Sequence, residues 1–395
     1  MKTSLRAFAT FLAIPSLMLA VYAPLPEQDQ GKALTYRLGA SVYHDSNIFG
    51  GASGEVSSMV YNSAVGISFN SSVTDQTFVS LGYDFSIDHV VDRPDKQNLI
   101  NHSFTSRVAH SFSKVTNLDV SENYQISESP ASLLNGIPLA ADQSSKNNQF
   151  SAQFATTAGE KGGVTFKYRN MDFAYDNSVL AVGLDRNEHL AGVEATYALL
   201  PETKLVGEYR YGQINYATDG ATKNKSSNYL IAGVNYNPSE KTTITARGGA
   251  ESRSRKAQKD TTSPYAEINI NYAYAEGSYI TGGYTYALEE ASDTANFTDS
   301  KVNRFVLTVQ HHLSPLVVAS GSVTHESSEL QARRDAPTPT RNVAESATRF
   351  GLALTWQPTK NWDVRATYDL DHTVSDNRDR NQDRTRFGVG AKFSF

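Results

Sequence analysis

Three groups of residues in this chain have the right types to do chemistry, and their spacing argues against each. His44, Asp45 and Ser46 supply a base, an acid and a hydroxyl, but they are consecutive. In an extended segment neighbours point to opposite faces, so these three do not converge by themselves. His311 and His312 fail as a chelating pair for the same reason. Asp376, Asp379 and Asp383 make an acidic segment, but Arg378, Arg380 and Arg384 interleave with them and the glycine of a calcium loop is missing. That segment reads as a solvated loop. The chain has no cysteine, which removes thiol nucleophiles, disulfides, thiolate zinc sites, iron–sulfur clusters and a lipid-anchored cysteine together. No phosphate-binding glycine loop or zinc motif is present. A site assembled from separated strands stays open to a barrel enzyme, but no acid, base and nucleophile gather at one rim. The expectation is no catalytic residue, no metal and no cofactor.

What remains is charge of both signs, set at alternate positions of extended runs. Trp362, Val364, Ala366, Tyr368 and Leu370 share one face, opposed by Asp363, Arg365, Thr367, Asp369 and Asp371. Period-two alternation of this kind marks a strand with one apolar side. Phe305–Val309, Val79–Phe85 and Val164–Tyr168 read the same way. The last run, Arg384 to Phe395, puts Phe387, Val389, Ala391, Phe393 and Phe395 on one face and Arg386, Gly388, Gly390, Lys392 and Ser394 on the other. One run is ragged, because Leu118 and Val120 continue into Glu122 on the same face, where a carboxylate would sit badly in lipid away from an interface.

Short connections at 70–75, 113–116, 159–162, 200–203, 237–240, 275–278, 313–315 and 358–361 carry Gly, Pro, Asn and Ser, as tight hairpins do. They alternate with longer polar ones at 46–54, 91–97, 127–145, 176–186, 217–226, 255–262, 290–301, 328–345 and 374–383. Runs of roughly 10–14 residues suit tilted membrane strands. The count predicts an all-β, antiparallel up-and-down transmembrane barrel over residues 35–395, with about 18 strands, both ends periplasmic and the long loops outside.

Inward positions of such a barrel are Arg37, Asp84, Arg107, Lys167, Arg169, Glu194, Glu208, Arg210, Arg247, Glu251, Glu267, Arg304, Arg349, Asp363, Arg365, Asp369, Arg386 and Lys392. They are expected to line a pore, pairing across strands to keep the wall hydrated and in register. No single-sign ring is evident, so sharp ion selectivity is not expected. The aromatics fall mostly on the outward face, with Tyr43, Phe78 and Tyr279 among few inward candidates. The two longest loops, 127–145 and 328–345, are candidates to fold inward as a constriction.

Residues 1–23 read as a secretory signal peptide, with Lys2 and Arg6 ahead of the apolar run Ala7–Ala20 and a small-residue site at Val21-Tyr22-Ala23. A short leader, 24–34, follows. Tyr 21 and Phe 18 against Trp 2 is a strand-rich balance that also suits membrane–water interfaces. A net charge of −5 carries no nucleic-acid footprint. A soluble envelope β-protein is the alternative architecture.

The run Tyr43-His44-Asp45-Ser46-Asn47-Ile48-Phe49, together with Arg384-Thr385-Arg386-Phe387-Gly388-Val389-Gly390 near the end, resembles the outer-membrane β-barrel porin family found in bacterial exopolysaccharide export loci. The ending Gly390-x-x-Phe393-x-Phe395 is similar to the closing strand of outer-membrane barrels, in which the terminal motif is the signal read by the barrel-assembly machinery. The resemblance implies a wide outer-membrane conduit for polysaccharide. Its implied partners are membrane lipid, a periplasmic polysaccharide co-polymerase and an export lipoprotein. The competing readings are a diffusion porin for small solutes and, behind it, a barrel-borne enzyme or adhesin.

Overall fold

The structure, a computed structural model, describes residues 33–94, 96–128, 143–256, 258–334, 336 and 341–395. The expected signal peptide and nearly all of the leader lie outside the described residues. The strands are β1 (Leu34–Asp45), β2 (Ser58–Thr74), β3 (Thr77–Val90), β4 (Asn98–Ser113), β5 (Thr116–Ser127) and β6 (Ser145–Ala158). There follow β7 (Gly162–Tyr175), β8 (Arg186–Leu200), β9 (Thr203–Tyr216), β10 (Lys225–Ser239), β11 (Thr242–Arg255) and β12 (Thr261–Ala275). The last six are β13 (Ser278–Glu289), β14 (Phe297–Ser314), β15 (Val317–Ala332), β16 (Val343–Thr359), β17 (Trp362–Ser375) and β18 (Gln382–Ser394). Two short helices, α1 (Ser178–Leu184) and α2 (Gly220–Lys223), lie in the β7–β8 and β9–β10 connections.

Each strand pairs antiparallel with its neighbours in sequence, and β18 returns to pair with β1, giving one closed sheet of 18 strands. Closure leaves no row of unpaired backbone groups, which a sheet in hydrocarbon requires. Tracing paired residues once round the wall returns to β1 displaced by roughly 22 positions, a stagger that goes with a strand tilt of about 40°.

Eight tight turns lie at one end, with the start of β1 and Phe395 beside them. Five share one local device. A Ser or Thr closes the strand and its hydroxyl accepts from the backbone N–H two residues on: Thr74 from Gln76 (3.2 Å), Ser113 from Val115 (3.2 Å), Ser239 from Lys241 (3.3 Å), Ser314 from Leu316 (3.3 Å) and Thr359 from Asn361 (3.3 Å). The hydroxyl mimics a turn carbonyl and fixes the reversal. In the β12–β13 turn Gly277 takes φ +65°, and a Cβ there would meet the His312 ring, so glycine is required twice over.

The strands run longer than expected, up to 18 residues in β14. Residues 297–301, 328–332 and 343–345, read from sequence as loop, are wall. Charged residues resemble loop to a sequence reader, yet here Asp299 and Glu345 are buried in ion pairs while Lys301 and Glu329 pair on the outer face.

At the seam, Arg37 to Asp45 pair with Ser394 to Arg386. Gly390 opposes Ser41, and a Cβ on it would stand 2.7 Å from the Ser41 Cβ. Gly388 is equally confined against Tyr43. Phe395 stacks on Tyr36 at 5.3 Å and on Phe393 at 5.4 Å, and Trp362 meets Phe393 at 5.0 Å. These rings form part of a lower aromatic girdle on the outer face. An upper girdle includes Tyr83, Phe104, Tyr124, Tyr168 and Tyr209. The Tyr83 and Tyr168 hydroxyls pair with Nδ1 of His102 (3.0 Å) and His189 (2.8 Å) on adjacent strands. Between the girdles the outer face carries exposed Val65, Leu81, Val108, Val193, Ile268 and Leu352.

Candidate functional site: the lumen

The expected inward residues occupy the concave side of the wall. On β7–β11 they join one another. Lys167 reaches Glu194 (2.9 Å) and Glu208 (3.3 Å), Arg210 reaches Glu208 (2.7 Å), and Arg247 reaches Glu194 three strands away (3.6 Å). The Arg210 guanidinium also donates to the Tyr265 hydroxyl of β12 (3.2 Å), which donates to Glu267 (2.7 Å). Glu251 pairs with Arg253 (2.8 Å), and Arg304 holds Glu289 (2.8 Å) and Glu326 (2.7 Å). Contacts that skip strands are possible only where the wall curves inward.

The other side is built differently. Arg37 pairs with Asp84 (2.8 Å), Arg107 with Asp119 (2.6 Å), Lys392 with Asp363 (3.0 Å), and Arg386 and Arg349 share Asp371 (3.1 and 3.8 Å). Arg365 and Asp369 stand on the same face of β17 without a close ion pair among the described residues. Arg169 lies over a cavity of about 90 Å³, which Glu188, Ser227, Tyr229, Arg253 and Glu289 also line. Between the pairs on β18 and β1–β5 many inward positions are small, among them Gly390, Gly39, Ala64, Gly66, Gly82 and Ser103, with Tyr43 and Phe78 as large exceptions.

Sequence reasoning missed the segment that narrows the mouth. Residues 290–296, between β13 and β14, fold in over the lumen. Glu290 bonds Lys225 (2.8 Å), Arg253 (3.1 Å) and the Tyr216 hydroxyl. Thr294 donates to the carbonyl of Gly183 in α1 (2.7 Å) and accepts Arg333 at its own carbonyl (2.9 Å), while Arg380 donates to Ser292 (3.0 Å). One short loop thus touches the connections after β7, β15 and β17. Ala291 packs with Phe297, Leu330 and Val343 beneath it. Burial works against ionisation of Glu290, but Lys225 and Arg253 outweigh it and hold the carboxyl below the usual range. At the root of the loop Asp299 takes Arg253 (2.7 Å), Lys225 (3.2 Å) and Arg255.

Of the two loops expected to fold inward, residues 129–142 lie outside the described residues, and 328–332 and 343–345 belong to β15 and β16. The inward aromatics number more than the three named from sequence. Tyr43, Phe78 and Tyr279 do take inward positions, but Tyr216, Tyr229 and Tyr265 join them. Their parity along β9, β10 and β12 carried the signal. Arg380 is not solvated as expected, for it is buried against Glu345.

The Tyr43–Phe49 motif has a visible task at the seam. Arg384 closes on Asp45 (2.5 Å), and the Asn47 side chain donates to the carbonyls of Gly51 (2.9 Å) and Asp383 (3.2 Å). Ile48 packs with Val60, Val90 and Leu99. Asp45 faces inward, whereas His44 lies outside, stacked on Phe387 at 5.2 Å.

No family model and no curated protein sequence matches the chain. Solved structures do. The outer membrane protein OpdK of Pseudomonas aeruginosa aligns at 14% identity over 92% of this chain and 99% of that one, with a TM-score of 0.48. The FrpB iron transporter of Neisseria meningitidis aligns at 11% identity over 92% and 82%, TM-score 0.48. The siderophore receptor PirA of Pseudomonas aeruginosa aligns at 10% over 91% and 80%, TM-score 0.43. The likeness is one of architecture. Closed sheet, apolar outer band and paired girdles are the attributes of an outer-membrane barrel. This chain is an eighteen-stranded barrel of that kind.

Proposed function

We propose that the protein is a passive outer-membrane channel whose solute path follows the arc from β17 through β18 and β1 to β5. The observation that carries this reading is the contrast in the lumen. Small side chains and solvent-facing ion pairs line that arc, whereas the opposite arc is filled with interlocked charges. A wall with both signs paired offers a hydrated solute many weak contacts and no strong single-sign trap. The eighteen charged positions from Arg37 to Lys392 then divide into pore-lining residues on the open arc and wall-bracing residues on the other.

The cargo we propose, resting on the sequence resemblance, is secreted polysaccharide, delivered by a periplasmic co-polymerase and an export lipoprotein. The same reading takes residues 1–23 as the export signal and Gly390, Phe393 and Phe395 as the mark read by the assembly machinery. The inward fold of residues 290–296 favours a second reading, diffusion of small solutes through a narrowed mouth. Deleting the gene and measuring secreted and surface polysaccharide, with and without restoring it, separates the two. Loss of polymer that returns on restoration supports export. Unchanged polymer with slower uptake of a small solute supports diffusion.

A further inference from the structure

Glu122 is on the wrong side of the wall for a carboxylate. On β5 its outward companions are Leu118, Val120, Tyr124 and Ile126, while inward Asp119 meets Arg107 in the lumen. Glu122 is exposed, with Ser106 of β4 and Phe150 of β6 opposite it. It lies one outward position below Tyr124, whose ring meets Phe104 in the upper girdle at 6.2 Å, so it falls inside the apolar band. The other charged residues of the outer face, Lys146, Asp172, Lys301, Glu329 and Asp383, all sit near the extracellular ends of their strands. Among the described residues Glu122 is the one outward charge in mid-strand. An ionisable group facing hydrocarbon is costly and marks a contact by default.

Asn148 Nδ2 donates to Glu122 Oε1 at 3.1 Å. A single amide does not neutralise a carboxylate, and Asn148 Oδ1 is itself buried without a hydrogen-bond partner. Among the described residues no lysine or arginine lies within the outer band, so a head-to-tail contact between copies would bring Glu122 neither from that band. A donor and an acceptor side by side are, however, self-complementary about a two-fold axis. Ser106 and Ala152, both small, flank the pair and let a second wall approach. We propose that the β4–β6 face is the contact between two copies of this chain, with Glu122 and Asn148 of each meeting those of the other within the membrane.

The absence of cysteine makes the test direct. Single variants Ser106→Cys, Val120→Cys and Ala152→Cys, with Leu230→Cys on β10, outside the β4–β6 face, as control, are reconstituted in vesicles of phosphatidylcholine and phosphatidylglycerol and oxidised. Heat-modifiable gel mobility verifies that each is folded. The expected result is a cross-linked dimer from at least one of the three and none from Leu230→Cys. Adding Glu122→Leu should cut its yield at least about fivefold while the barrel stays folded. No dimer from any of the three, an equal yield from the control, or a yield untouched by Glu122→Leu overturns the proposal.

Discussion

The two halves of the inner wall use the same residue types to opposite ends. From β7 to β15, charges reach across several strands and exclude water, and the Arg304 and Glu326 side chains are each only 2% exposed. From β17 round to β5 the pairs join near neighbours and are wetter, with Asp84 55% exposed beside Arg37 at 25%, although the seam pair Arg384–Asp45 is buried. The difference follows from what stands between the charges. Tyr229, Tyr265 and the loop at 290–296 roof the first arc, whereas glycine, alanine and serine leave the second open. Buried pairs are hard to break because a lost partner strands a charge without solvent. Wet pairs contribute little.

The largest effect is therefore expected from Arg253→Ala, which strips Glu251, Glu290 and Asp299 of a shared cation. Removing one member of such a buried group costs about 3–5 kcal/mol, read from urea unfolding in vesicles. Glu290→Gln should weaken the loop's anchorage by about 1.5–3 kcal/mol, the range for a charged hydrogen bond, seen as faster hydrogen exchange of residues 290–296 and higher channel conductance. The pH dependence has a definite sign. A carboxyl held low contributes anchorage that is complete above the ordinary glutamate value of 4.5 and is lost as pH falls through its own lower value. Conductance should thus stay level from neutral pH down past 4.5 and rise only in stronger acid.

Gly39→Trp sharpens the contrast from the other side. A Cβ at Gly39 meets nothing closer than 3.7 Å. The variant should lower conductance in planar bilayers while shifting stability by less than ~1 kcal/mol, as substitutions away from packed contacts do. The smallest effect is expected from Arg37→Ala, within about 0–1 kcal/mol for an exposed pair, with conductance retained.

Much of this architecture is legible in the chain because period two is a local property. Trp362 to Leu370 and Phe387 to Phe395 reveal their faces without any knowledge of the fold. The turns at Ser113 and Ser314 declare themselves by hydroxyl and spacing. Parity also places Arg37, Glu208 and Arg304 on the inner face. It cannot say which inward charges are roofed, because that depends on Thr294 reaching Gly183 and Glu290 reaching Lys225, contacts between residues far apart in sequence. Length was no guide to this segment. Residues 290–296 are short, and they fold inward because cations on β10 and β11 meet Glu290. Glu122 shows the converse. The sequence flags it as misplaced, and the structure leaves it misplaced.

The central claim, that solute follows the β17–β5 arc, is tested most directly by chemical block of the open channel. Single cysteines at Ser103 and Ser121 on that arc, and at Ser227 and Thr285 on the other, are treated with a bulky charged methanethiosulfonate while current is recorded in a planar bilayer. Current should fall on modification of Ser103→Cys and Ser121→Cys and hold steady for Ser227→Cys and Thr285→Cys. Block from the second pair with none from the first would contradict it.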